Sequence, residues 1–151
     1  DYALFGALAQ IRYTEPVATF DADVLVGVPP PDRVDLLAPL YNFCAMKGYL
    51  PEGEAIRVGD WPLQFIPAFN PLTREAMENA ENTEYEGIPF RVVSAAYLAA
   101  IALQAGRAKD MARILALLES GNVTPAAVGA IAARHGLLDA WKRFEARFLN
   151  D

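Results

Sequence analysis

The chain holds a single cysteine and a single histidine in 151 residues. Cys44 therefore has no partner for an internal disulfide, and its neighbours Phe43 and Ala45 suit a small core thiol. His135 stands in Ala133-Arg134-His135-Gly136, where an imidazole beside glycine reads as a helix C-terminal cap. One residue of each type is too few for a zinc site or a Cys–His dyad, and Ser94 and Ser120 have no histidine near them in sequence. Basic charge is also in deficit, 13 Lys and Arg against 19 Asp and Glu, for a net charge of −6. Diffuse attraction to nucleic acid or anionic membrane is excluded as a default. No apolar run reaches the roughly 18 residues of a membrane span; the longest, Val92 to Leu103, is interrupted by Ser94 and Tyr97. There is no signal-peptide pattern, so a cytoplasmic location is expected; Asp1 in place of Met, with an apolar run already under way, leads us to expect residues ahead of it.

What the chain does have is apolar mass, 54% of its residues, enough for one compact unit of this length. Tyr2–Phe5 reads as a buried strand that Gly6 turns into a short helix over about Ala7–Arg12. Ala18–Val28 alternates, with Thr19, Asp21 and Asp23 on one face and Phe20, Ala22, Val24 and Val26 on the other. Pro29–Pro31 stop that strand, and Asp32 caps a helix to about Lys47 that buries Leu36, Leu37, Leu40, Tyr41 and Cys44. Glu54–Val58 and Pro62–Pro67, joined by Gly59-Asp60-Trp61, form a hairpin. Pro71–Ala80 is expected to be an exposed helix, with Glu75, Glu78 and Glu81 on a solvated acidic face, and Ile88–Val93 another strand.

From Ser94 onward the pattern is helical. Ala95–Gln104 is apolar nearly all round, which marks a central buried helix. Met111, Ile114, Leu115 and Leu118 form one stripe, Thr124-Pro125 opens another helix, and Leu137, Trp141, Phe144 and Phe148 form the last stripe. Trp61 joins Trp141 as a core candidate. The expected architecture is α/β (α+β), a mixed-sheet core over 1–93 with a helical region over 94–151 packed on it as one unit. Charge divides along the same line, with 6 basic and 14 acidic residues over 1–106 against 7 and 5 over 107–151. An anion is better received at the helical end.

Asp21 and Asp23, two apart on a strand, can point at one hard cation, whose remaining ligands must be oxygens of phosphate or water. That is the core of a magnesium-dependent phosphoryl-transfer site. Strand ends and turns also collect aspartates, so the spacing gains weight from its surroundings. Upstream, Gly6-Ala7 lies at a strand-to-helix turn where a small residue lets phosphate approach backbone N–H groups. Lys109-Asp110 opens a helix and reads equally as a solvated pair or as a phosphate-contacting lysine, and Arg107 carries the same two readings.

The order strand, Gly-small, helix, Asp-x-Asp strand resembles the nucleotidyltransferase superfamily, and within it the small AbiEii-type nucleotidyltransferase-like proteins. The resemblance rests on Leu4-Phe5-Gly6-Ala7-Leu8-Ala9, Thr19-Phe20-Asp21-Ala22-Asp23, Val92-Val93-Ser94 with Tyr97-Leu98, and Gly106-Arg107-Ala108-Lys109-Asp110. It implies a nucleotidyltransferase-like mixed sheet, Mg²⁺ or Mn²⁺ on Asp21 and Asp23, and a nucleoside triphosphate (NTP) at Gly6, Ala7, Thr19 and Lys109. It further implies transfer of a nucleoside monophosphate to a hydroxyl of RNA or protein, and an antitoxin-like partner in a toxin–antitoxin pair. The chain departs from the family pattern at Ala7, where Ser or Gly is usual, and at Gln64, where a third carboxylate is usual on a later strand. It departs again at Ala102, near the place of a phosphate-contacting lysine, and at Arg113, in place of an acid. Asp60 and Glu54 are further carboxylates that spacing cannot assign. Three readings stay open: an active transferase with a degenerate third carboxylate, a catalytically silent binding or regulatory module of the same fold, and an interaction domain that docks through its helical half.

Overall fold

The computed structural model describes residues 1–27 and 37–150. Strand β1 (Tyr2–Phe5) runs into helix α1 (Gly6–Ile11), and β2 (Ala22–Val26) returns antiparallel to β1. After α2 (Ala38–Met46) come β3 (Leu50–Glu52), β4 (Ala55–Val58) and β5 (Trp61–Pro67), then α3 (Pro71–Glu78), β6 (Glu81–Tyr85) and β7 (Ile88–Val92). Four helices follow: α4 (Ala95–Ala105), α5 (Ala108–Glu119), α6 (Pro125–Arg134) and α7 (Leu138–Phe148). The strands form one mixed sheet in the order β3-β4-β5-β2-β1-β7-β6. Strand β2 pairs parallel with β5, and β1 parallel with β7, so the centre of the sheet is built from segments far apart in sequence.

Helix α4 is the spine of the core. Ala95, Tyr97, Leu98, Ala99, Ala100, Ala102 and Leu103 are all buried, as its nearly uniform apolar sequence requires. Its alanines present little side-chain bulk, which lets neighbours approach closely, while Leu98 and Leu103 each contribute roughly 1.5–3 kcal/mol by burial. Ala3, Leu25 and Val92 of the sheet share a single buried cluster with Ile114, Leu117, Val128, Trp141 and Phe144 of the later helices. The cap at Thr124 forms as its sequence demands, the side chain accepting the Ala127 N–H at 3.2 Å with Pro125 at the first helical position. None of the described helices is long and apolar enough to cross a membrane.

Several expectations need correction. The Asp-x-Asp strand begins at Ala22, so Thr19, Phe20 and Asp21 precede it, and Phe20 is 85% exposed rather than turned inward. Strands β3 and β6 lack an apolar pattern because both are sheet edges, one carrying Pro51 and the other reading Glu-Asn-Thr-Glu-Tyr. Trp61 opposes Val58 across the hairpin and is 44% exposed, not core. Helix α3 is not solvated all round, since Leu72, Ala76 and Met77 are buried beneath it. The end of the strand at Val28, the stop at Pro29–Pro31, the Asp32 cap and Leu36 lie outside the described residues.

Glu75 is not part of a solvated acidic face either. Its Oε1 accepts the Tyr97 hydroxyl at 2.7 Å and the Arg134 guanidinium, while its Oε2 meets His135 Nε2. These partners come from α4 and the end of α6, so one carboxylate ties α3 to both. The Tyr97 and Arg134 hydrogen bonds hold the Glu75 carboxyl down at about 2 against the opposing effect of burial, with His135 adding to the pull. His135 does cap α6 through its backbone, and its ring has the second task of pairing with Glu75.

Candidate functional site

The parallel register of β2 on β5 sets Asp23 beside Gln64, and the antiparallel register of β1 on β2 sets it beside Phe5. Gly6 follows Phe5 with φ +66°, and a Cβ built there would lie 2.2 Å from Asp23 Oδ2. Glycine is thus required twice, for the left-handed backbone and for the space that the Asp23 carboxylate fills. The Asp23 carboxylate occupies the space where a Gly6 side chain would stand.

On the far side, α4 ends at Gly106, whose φ of +68° reverses the chain into α5. This turn brings Arg107, Lys109, Asp110 and Arg113 to the same place as the strand residues. The result is a cleft of about 490 Å³ lined by Gly6, Ala7, Thr19, Asp21, Asp23 and Lys109, all the residues singled out from sequence. Gln64, Ala102 and Arg113, which with Ala7 are the four departures from the pattern of the resemblance, line it as well, together with Arg107 and Asp110. Sequence reasoning missed Phe20 as a lining residue, and only its break in the polar character of the Thr19–Asp23 segment could have flagged it.

Within the cleft the carboxylates have different surroundings. The Thr19 hydroxyl donates to Asp21 Oδ1 at 3.3 Å and to the Asp21 carbonyl at 3.2 Å, which steadies the loop ahead of β2. Burial pushes Asp23 above the ordinary carboxylate range, the negative charge of Asp21 pushes it further, and Arg113 offsets part of the rise. Among the described residues neither Asp21 nor Asp23 has a salt-bridge partner. Asp110 is the opposite case. Its side chain is only 1% exposed and pairs with Arg107 Nε at 2.6 Å and Arg113 Nη1 at 3.4 Å. Burial pushes Asp110 up, but the Arg107 side chain and backbone N–H, helped by Arg113, prevail and hold it below its usual value. Asp110 is therefore a buried anchor for two arginines, not one of a solvated pair.

Three cations, Arg107, Lys109 and Arg113, thus share a cleft with the Asp21–Asp23 pair. Among the described residues no group of three or more His, Cys, Asp or Glu comes together as a metal cage. Two hard carboxylate donors that repel one another fit a divalent cation whose shell is completed by the oxygens of a bound ligand and water. They do not fit a self-sufficient structural metal site.

No family model matches the chain, and no curated protein sequence is similar to it at a significant level. Solved structures do resemble it. An antigenic nucleotidyltransferase-like protein from Paracoccidioides brasiliensis superposes with a TM-score of 0.56 at 12% identity, covering 99% of this chain and 89% of that one. The antibiotic-resistance factor ANT(2'')-Ia superposes with a TM-score of 0.53 at 16% identity, covering 97% of this chain and 88% of the other. At such identities the likeness is one of fold, and the fold is nucleotidyltransferase-like.

Proposed function

We propose that the cleft binds a nucleoside triphosphate as its Mg²⁺ or Mn²⁺ complex and transfers the nucleoside monophosphate to a hydroxyl acceptor. The observation that carries this reading is the convergence of segments 6–7, 19–23 and 107–113 on one cleft, where two carboxylates without a salt-bridge partner among the described residues share the lining with three cations. The nucleotidyltransferase-like fold supports it.

Asp21 and Asp23 would hold the metal, which when bound neutralises charge on the triphosphate and on the departing pyrophosphate. Thr19 steadies Asp21 through its hydroxyl. Lys109 supplies a mobile point charge, and Arg107 and Arg113, aimed by Asp110, supply fixed ones for phosphate oxygens. The acceptor oxygen bonds to the α-phosphorus as the bond from that phosphorus to the bridging oxygen breaks, and pyrophosphate leaves. Gln64, beside Asp23, can hydrogen-bond to either partner but cannot take the acceptor's proton. The proton leaves to water, and slow turnover is the consequence.

That same Gln64 supports a second reading, a module that keeps nucleotide binding and lacks turnover. The resemblance to AbiEii-type proteins adds to the first reading an acceptor hydroxyl on RNA or protein, an antitoxin-like partner and a cytoplasmic setting. Calorimetric titration of the four NTPs with and without Mg²⁺, on the wild type and on Asp21→Asn/Asp23→Asn, tests the site without knowing the acceptor. Metal-dependent binding that the double variant loses supports the proposal, and absence of binding at millimolar NTP refutes it. Pyrophosphate release in the wild type and in Gln64→Asp separates the two readings: a gain in release favours a transferase with a weakened third position, and none in either protein favours the silent module.

A further inference from the structure

Phe20 is the most exposed large apolar side chain among the described residues, at 85%, and it lines the cleft directly beside Asp21. An exposed phenyl ring forgoes the stabilisation that burial would provide. The hydroxyl of the preceding Thr19 lies within hydrogen-bond reach of the carbonyl and carboxylate of the following Asp21, which bridges the residues on either side of Phe20. Phe20 thus stands at the cleft, next in sequence to the carboxylate pair, with its ring open to solvent. A ligand that carries an anionic chain and a flat aromatic group matches this juxtaposition. The remaining lining limits how such a group can be read. From α4 come only Leu98, Ile101, Ala102 and Ala105, with no polar side-chain atoms. Thr19 and Asp110 are committed to Asp21 and to the two arginines, which leaves the Gln64 amide as the sole neutral polar side chain without a described partner. Neutral side chains able to read a base edge are therefore confined to Gln64, an arrangement that suits recognition by stacking area.

We infer that Phe20 is the stacking platform for the base of the bound nucleotide, and that the site favours purine over pyrimidine nucleotides. This rests on the nucleotide reading of the cleft. A base stacked on an aromatic ring contributes enough that its removal by alanine weakens binding by about tenfold.

The test compares ATP, GTP, CTP, UTP and inorganic tripolyphosphate, each with Mg²⁺, on the full chain as wild type, Phe20→Ala and Phe20→Trp. Because the ring is exposed, neither substitution removes a core contact, and circular dichroism checks that the fold is kept. The expected result is ATP binding weakened about tenfold in Phe20→Ala with tripolyphosphate binding unchanged, and affinity recovered in Phe20→Trp. Emission from the introduced tryptophan, measured against the Trp61 and Trp141 background of the wild type, is expected to change with ATP and not with tripolyphosphate. Equal ATP affinity in the wild type and Phe20→Ala overturns the role of Phe20 and leaves the nucleotide site standing. Equal affinity for purine and pyrimidine nucleotides overturns the base preference. Wild-type protein that binds tripolyphosphate as tightly as ATP also overturns the stacking role, and wild-type protein that binds neither overturns the nucleotide reading with it.

Discussion

Glu75 and the Asp21–Asp23 pair are carboxylates of one chain in opposite electrostatic states. Glu75 accepts from Tyr97 and Arg134 and pairs with His135, and its carboxyl is held at about 2. Asp23 is half-buried, is pushed up by burial and by the charge of Asp21, and is offset only in part by Arg113. A carboxylate neutralised by its own chain serves to join elements, here α3 to α4 and α6. A pair left in mutual repulsion costs stability until something positive arrives from outside. The raised Asp23 marks a local cost that a bound cation would offset.

The sharpest way to break this contrast is Asp21→Asn/Asp23→Asn, which is expected to lower metal-dependent NTP affinity by about 100-fold or more, since metal-held phosphate contributes several kcal/mol. Gly6→Ala comes next. The left-handed backbone and the overlap with Asp23 Oδ2 at 2.2 Å together cost about 2–4 kcal/mol. Thermal unfolding should show a drop of roughly 10 °C for a chain of this size. Combining Gly6→Ala with Asp23→Gly should restore the part of the loss that comes from overlap and not the part that comes from φ, a difference that a double-mutant cycle measures.

Glu75→Gln is expected to cost on the order of 1–2 kcal/mol at pH 7, after screening by solvent is allowed for. Glu75 titrates at about 2 in the folded chain against an ordinary value of 4.5, so its contribution is present above 4.5 and is lost as pH falls toward 2. Melting curves of the wild type and the variant should therefore converge near pH 2. The smallest effect carries the opposite sign. Asp23 is raised in the folded chain, so the folded state binds its proton more tightly than the unfolded one, and stability falls as pH climbs from the ordinary value through the raised one. Asp23→Asn is expected to raise the melting temperature slightly at pH 7, with the gain vanishing in acid. A loss of stability from Asp23→Asn at pH 7 would show the two sites to be alike after all.

Much of this was legible before any fold was known, and the reasons are local. The strand at Tyr2, the hairpin turn at Gly59-Asp60, the Thr124-Pro125 helix start and the all-round apolar α4 each follow from patterns of a few residues. The edge strands β3 and β6 were not legible, because an edge is polar and takes its hydrogen bonds from one side only. Phe20 falls outside the strand because alternation extends it four residues too far upstream, from Ala22 back to Ala18, and alternation cannot see where pairing begins. The Glu75 cluster escaped notice for a different reason: Glu75 is 59 positions from Arg134 and 60 from His135.

Residue types and their short-range spacing determined the α/β class, the helical second half, the Asp-x-Asp pair and the glycine at its turn. Tertiary structure alone decided which of those charges meet. Side chains from β1, β2, β5, α4 and α5 reach one cleft because parallel pairing of β2 with β5 joins segments that no local rule connects. Whether a given carboxylate is neutralised or left bare is a matter of distance in space, since Coulomb interactions fall off over a few ångströms and take no account of the number of residues between.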